Sequence, residues 1–147
     1  MKTLIVYHSF HHGNTAKIAK VLADELNAKM VKTEDEEANN WDEYELIGFG
    51  SGIYNGKHHK SILHAVEKLP AVKGKKAFVF STSGVLRNYN KSLKEMLTTK
   101  GFQIVGDFVC KALDTYGPLK LIGGLNKGRP NEEDYQKARE FAQGLLQ

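Results

Sequence analysis

The sequence predicts an α/β fold, a five-stranded parallel sheet covered by helices on both faces. Short apolar, β-prone runs recur along the chain, each too short for a helix and apolar throughout, as a strand buried on both faces requires. Between them lie stretches with apolar residues at helical spacing, and such alternation implies right-handed parallel crossovers. At 147 residues, 41% hydrophobic and 26% charged, the chain has ordinary globular composition and the size of one domain, 1–147, with a sizeable core.

Leu4–Tyr7 (LIVY) is the first strand. From Asn14 on, Ile18, Ala19, Leu22 and Leu26 recur at helical spacing while Lys17, Lys20 and Asp24 fall opposite, so a polar loop leads directly into an amphipathic helix. Lys29–Thr33 (KMVKT) reads as a short strand with Met30 and Val31 inward, and Glu34–Asn40 as an acidic, solvent-facing loop. Trp41 and Tyr44 border the next strand, Leu46–Gly50 (LIGFG), and cap the sheet edge. The Asn55-Gly56 pair that follows is a strong turn signal, since both types tolerate positive φ. A helix over Lys60–Leu69 buries Ile62, Ala65, Val66 and Leu69, carries His64 on its polar side and stops before Pro70.

Ala77–Phe80 (AFVF) is the fourth strand. Asn90 caps a helix with Leu93, Met96 and Leu97 on one face, and Gly101 ends it. Phe102–Lys111 is the fifth strand region, with Gly106 a bulge or bend. Leu113–Arg129, with four glycines, is loop-rich. The last helix starts after Pro130 with Glu132, Glu133 and Asp134 in its first turn and buries Tyr135, Ala138, Phe141, Ala142 and Leu145.

Strand, tight loop and helix at the N-terminus make the geometry of an anion site. Amide hydrogens at a helix start and the positive end of its dipole favour a phosphate, and Gly13 lets the chain approach closely. Ser9, Asn14 and Thr15 are short side chains that either bond phosphate oxygens or merely cap the helix. His11 and His12 can add imidazole hydrogen bonds or charge. Neither GxGxxG nor GxxxxGK[ST] is present.

This loop resembles the phosphate loop of flavodoxins, in which a strand runs into [ST]-x-T-G-x-T. Gly13, Asn14 and Thr15 match its last three places; Phe10 and His12 stand where the pattern has hydroxyls, and Ser9 lies one residue before the first of them. The resemblance spans essentially the whole chain. It implies a flavodoxin-like three-layer α/β/α sandwich with strand order 2-1-3-4-5 and FMN bound outside the carboxyl ends of the strands. It further implies that the loops after the third and fourth strands hold the flavin ring. Ile53–Lys57 would then form one side, with Tyr54 stacked on the ring and the Asn55-Gly56 peptide offering a carbonyl to flavin N5. Thr82, Ser83 and Gly84 would meet the pyrimidine end, and either Leu86 or Tyr89 the other face. The segment GSGIYNGKHHKSI resembles, more loosely, small flavodoxin-like protoporphyrinogen oxidases, which carry a Tyr-Gly turn and a nearby His. Lys57, His58 and His59 would put cationic groups near the ring. A unit charge about 6 Å from a reduced-flavin anion is worth roughly 3 kcal/mol at an effective dielectric near 20, before screening, so a less negative potential than that of acidic flavodoxins is expected.

Function classes narrow accordingly. The net charge of +4 is spread among acidic residues, which speaks against nucleic-acid binding. No apolar run approaches a membrane span and the N-terminal pattern is not that of a signal peptide, so a cytoplasmic location is expected. The single Cys110 excludes an internal disulfide and suits a buried strand position. The paired histidines lack the i, i+4 spacing or cysteine partners of a zinc site. A receiver-like signalling module would need an acidic pair after the first strand and an Asp after the third, where this chain has His8-Ser9 and Ser51. The expectation is an FMN-binding electron carrier or small flavin-dependent oxidoreductase serving a redox partner protein or a small-molecule acceptor. The alternative is an anion-binding or signalling module of the same fold without flavin turnover.

Overall fold

The computed structural model describes residues 1–9, 13–35, 41–84, 87–112 and 128–147. Among these the chain runs through β1 (Thr3–His8), α1 (Asn14–Leu26), β2 (Lys29–Lys32), β3 (Leu46–Tyr54), β4 (Lys57–His58), α2 (Lys60–Glu67), β5 (Lys76–Ser83), α3 (Lys91–Thr99), β6 (Gln103–Lys111) and α4 (Glu132–Leu145). The expected loops over 36–40 and 113–127, like Phe10, His11, His12 and Leu86, lie outside the described residues. No helix among the described residues is long and apolar enough to cross a membrane.

The five main strands are parallel in the order β2-β1-β3-β5-β6, which is the expected order with the short β4 counted separately. β4 pairs antiparallel with the end of β3, an element the sequence reading carried only as a turn. β3 and β5 also run past the expected Gly50 and Phe80. Their ladder continues through Ser51↔Ser81 and Gly52↔Thr82 because backbone pairing does not require apolar side chains.

Side chains alternate across the sheet into two cores. On one face Leu4, Val6, Ile47, Phe49 and Val79 meet Ile62 and Val66 of α2 and Leu93 and Leu97 of α3. On the other Ile5, Tyr7, Phe78 and Phe80 meet Ile18 and Leu22 of α1 and Ala138 and Ala142 of α4. Val31 joins the first core and Met30 the second, as alternation demands. Ala65, Tyr135, Phe141 and Leu145, expected in the core, are half-buried. Trp41 packs against the first core from a 3-10 turn, with the Lys75 ammonium 5.4 Å from its ring, while Tyr44 is buried.

Gly48 and Gly50 are required by packing, because a Cβ there would lie 2.2 Å from Phe78 Cζ and 2.3 Å from Phe80 Cζ. The bulge expected near Gly106 appears as a register shift, Ala77 pairing Ile104 and Phe78 pairing Gly106.

The N-terminus of α4 is closed by a capping box in which Asn131 Oδ1 accepts the Asp134 N–H at 3.1 Å and Asp134 Oδ2 accepts the Asn131 N–H at 2.8 Å. Arg129 pairs with the same carboxylate. Burial pushes the Asp134 carboxyl up, but the Arg129 guanidinium and the Asn131 N–H outweigh it and hold it below the usual range. A depressed folded-state value contributes stability above the unfolded-state pKa that is lost as pH falls through the folded one. Asn131→Ala is expected to cost about 1 kcal/mol in urea unfolding. Asp134→Asn should flatten the acid limb of the stability–pH curve; an unchanged limb would exclude this carboxylate as its source.

Candidate functional site

The carboxyl ends of β1, β3 and β5 bring together three segments from distant parts of the sequence. The first is the head of α1. Gly13 stands at the N-cap with φ 67° and ψ 24°, a left-handed conformation that glycine adopts without penalty. A Cβ at Gly13 would meet no atom of the described residues within 4 Å, so the turn opens away from them. Asn14 and Thr15 are the first helical residues and both are buried. Gly13 has no side chain to cap the helix, and Ser9 Oγ accepts the Ala16 N–H at 3.1 Å in that role. Thr15 Oγ1 bonds Thr82 Oγ1 at 2.8 Å, tying α1 to the end of β5.

The second segment is the β3–β4 hairpin. Tyr54 pairs Lys57 and Ile53 pairs His58 across a two-residue turn in which Asn55 (φ 52°) and Gly56 (φ 77°) are both left-handed, the type I′ geometry that matches strand twist. Tyr54 is half-buried, its ring lying over Gly52 and meeting His59 edge-on at 5.1 Å. Burial raises its phenol pKa. Ile53 is half-buried, while Asn55, Gly56 and Lys57 are exposed.

The third segment is the end of β5 and the turn into α3. Thr82 is buried, whereas Ser83, Gly84 and Tyr89 are half-buried and Arg87 is exposed. The second and third segments touch, since a Cβ on Gly56 would stand 3.8 Å from the Tyr89 ring. Of the sequence-derived site residues, Ser9, Gly13, Asn14, Thr15, Ile53, Tyr54, Asn55, Gly56, Lys57, Thr82, Ser83, Gly84 and Tyr89 thus fall on these three segments. His11, His12 and Leu86 lie outside the described residues.

The histidines correct the expected charge pattern. His58 is 4% exposed, with Nδ1 3.0 Å from Ser51 Oγ and Nε2 2.6 Å from Asn90 Oδ1. Burial lowers its pKa against the opposing pull of Asn90 and Asp107. His59 caps α2, its Nδ1 accepting the Ser61 N–H at 3.1 Å, and stacks on His8 with centroids 3.7 Å apart and planes 10° from parallel. Burial, then His8 and Lys60, push its pKa down as well. Two of the three expected cations are therefore neutral imidazoles at neutral pH, leaving Lys57.

The sequence reading missed Ser51, Asn90 and Asp107 as a connected set. Asn90 occupies the N-cap position of α3 as expected, but its side chain makes no cap. Asp107, an acid inside an apolar strand run, was the available signal, because such a group needs buried partners. The His8–His59 stack had none, since residues fifty positions apart meet only through sheet register. Cys110 is buried, as expected, and its thiol is pushed up to about 12 by burial, with Asp134 next in effect, so it is unsuited to nucleophilic work. It lines a cavity of about 230 Å³ between β6 and α4 that is bordered by Lys111, Arg129 and Asp134, apart from β1 and β3.

Comparison with known proteins agrees with this fold. A protein of Methanocaldococcus jannaschii, itself uncharacterised, is 52% identical to this chain over 149 residues, covering 99% of both. A flavodoxin from the domain Archaea superposes with TM-score 0.70 at 17% identity, covering all of both chains. Oxidised Flavodoxin 2 from Bacillus cereus does so with TM-score 0.74 at 22% identity, covering 99% of this chain and 98% of that one. At these identities the likeness shows the fold. The family pattern described as "Flavodoxin domain" matches residues 4–112, a span that begins in β1, contains all three converging segments and ends just after β6; the chain belongs to the flavodoxin family.

Proposed function

We propose that this chain binds FMN at the carboxyl edge of its sheet and exchanges electrons through it, as a carrier or as a small flavin-dependent oxidoreductase. The observation that carries this is the convergence of three segments, joined by the Thr15–Thr82 hydrogen bond and by the approach of Tyr89 to Gly56. The donor set suits a phosphoester and a planar ring. The left-handed Gly13 turn opens away from the described residues at the positive end of α1, and Ser9, Thr15 and Thr82 surround that turn with hydroxyls.

In this reading Gly13, Asn14 and Thr15 hold the phosphate, with Ser9, His11 and His12 around it. Tyr54 offers the ring its half-buried aromatic face. Asn55, Gly56 and Lys57 border one edge; Ile53, Thr82, Ser83, Gly84, Leu86 and Tyr89 complete the enclosure. FMN supplies the electron chemistry, while the chain positions the ring, limits its contact with water and sets its electrostatic surroundings. No side chain here is required to be a catalytic acid or base. With His58 and His59 neutral, Lys57 is the hairpin's cation, so the shift toward a less negative potential should be smaller than three charges would give.

The purified protein is expected to show flavin absorbance bands, or, as apoprotein, to quench the fluorescence of added FMN to a stoichiometric end point. A colourless protein that leaves FMN fluorescence unchanged would refute the proposal. Such a result would favour an anion-binding module, which inorganic phosphate titration would then test.

A further inference from the structure

Behind the candidate site runs a chain of hydrogen bonds, buried at His58 and half-buried at Asp107. Asp107, on β6, accepts from Lys94 Nζ at 2.6 Å, from Asn88 Nδ2 at 2.8 Å and from Asn90 Nδ2 at 2.5 Å. An ionised carboxylate can only accept. Burial pushes Asp107 up, but Lys94, Asn88 and Asn90 outweigh it and hold its carboxyl below the usual range. Asn90 must therefore turn its amide nitrogen to Asp107 and its Oδ1 to His58. His58 Nε2, 2.6 Å from that oxygen, must carry the ring hydrogen. Its Nδ1 is left as an acceptor 3.0 Å from Ser51 Oγ, which accepts the His59 N–H at 2.9 Å and has one hydrogen for either that nitrogen or the Gly52 carbonyl at 2.7 Å. One carboxylate thus sets the direction of every bond from Asp107 to the His58 ring.

The same carboxylate controls the other ring-side segment. Asn88, held by Asp107, accepts the Asn90 N–H at 2.8 Å, which fixes the backbone on either side of Tyr89. Ser51, His58 and Asn90 are all buried, so water does not compete for the two bonds that join them. The charged and titratable groups around His58 are Asp107 on β6, Lys94 on α3, and Lys57, His59 and Lys60 beside it in the chain. Of these Asp107 is already neutralised by Lys94.

We propose that His58, Asn90 and Asp107 are positioning residues that lock the Tyr54–Lys57 turn and the segment ending at Tyr89 into a single preorganised clamp for the flavin ring. The inference rests on the FMN reading above and adds residues placed behind the candidate ring contacts. Its signature is coupling: Asp107 reaches the Tyr54–Gly56 turn through Asn90 and His58 on one side and, through Asn88, holds the backbone around Tyr89 on the other, so removing this carboxylate should release both segments together.

The test uses the full-length protein in two forms. In 15N-labelled apoprotein, His58 is expected as the neutral Nε2–H tautomer. Asp107→Asn should change that ring signature and move the amide resonances of Tyr54, Asn55 and Gly56. Lys94→Met, which removes the ion pair but leaves the Asn90 bond, should move them far less. In FMN titrations His58→Leu is expected to weaken binding about tenfold, because Ser51 and Asn90 lose their partner, and Asp107→Asn several-fold. The double variant should lose less than the product of the two single losses, since the Asn90–His58 branch is shared and groups acting in series are not additive. An Nδ1–H tautomer, unmoved hairpin amides in Asp107→Asn, or losses that multiply in the double variant would overturn the proposal. If His58→Leu fails to fold, Asp107→Asn alone decides by the amide readout. If the wild type binds no FMN, the FMN reading falls, while the apoprotein spectra still decide whether the relay joins the two segments.

Discussion

Replacing Gly50 with alanine is expected to destabilise the fold by about 3 kcal/mol, the upper part of the range for overpacking a core. For a chain of this size that lowers Tm by roughly 6–12 °C, at about 2–4 °C per kcal/mol. A Cβ at Gly50 would lie 2.3–2.4 Å from Cζ, Cε1 and Cε2 of Phe80, which no ordinary contact tolerates. Phe80 cannot retreat, being fully buried and packed on Phe78 at 6.2 Å, which is held in turn by Phe141 at 5.9 Å. Gly52, two residues on and on the same face of β3, is the control. Its Cβ would meet Tyr54 at 3.5 Å, an ordinary contact, so Gly52→Ala should shift stability by a few tenths of a kcal/mol. Gly50→Ala combined with Phe80→Leu should cost less than the sum of the single changes, because the second makes room for the first. Equal effects at Gly50 and Gly52, or strict additivity with Phe80→Leu, would place the strain elsewhere.

This packing explains why the sheet was legible and its upper edge was not. LIVY, LIGFG and AFVF announce buried strands because both faces are covered, and the alternation of strands with amphipathic helices implied the parallel layers. Past Gly50 and Phe80 the side chains become Ser, Gly and Thr. The ladder persists there through main-chain bonds, which apolar patterning does not reveal. Capping signals erred for a related reason. Asn14, Thr15 and Asn90 are all good N-cap types in the right places, yet Thr15 is claimed by Thr82 and Asn90 by His58 and Asp107. Cap preference is local, whereas the competing partner arrives through tertiary register. His58 stands in the sequence beside Lys57 and His59 as one of three expected cations near the ring. In a strand, alternate residues face opposite ways, so β4 turns Lys57 out and His58 in. Two residues are too few to show that period in sequence. The segments that converge on the site were visible because turns at positive φ leave a chemical trace, Asn55-Gly56 and Gly13, whatever the distant partners are.

Gly13→Val is expected to weaken FMN binding about a hundredfold while leaving riboflavin binding nearly unchanged. Folding and phosphate binding respond separately to this change. At φ 67° and ψ 24° a non-glycine residue pays about 1–2 kcal/mol of backbone strain, so urea unfolding of the apoprotein should show a loss of that order. A Cβ at this position meets no atom of the described residues within 4 Å, so it carries no steric cost against them. The valine methyls instead occupy the space that the proposal gives to the phosphate oxygens, ahead of Asn14 and Thr15. Losing one or two charge-assisted hydrogen bonds at about 1.5–3 kcal/mol each corresponds to roughly a hundredfold in affinity. Riboflavin carries the same ring without the phosphate, so the contacts proposed for Tyr54, Thr82 and Tyr89 are untouched by the change. Equal loss of FMN and riboflavin binding would mean that the substitution disturbs the ring-side segments through the Thr15–Thr82 bond. Undiminished FMN affinity would move the phosphate away from the head of α1 altogether.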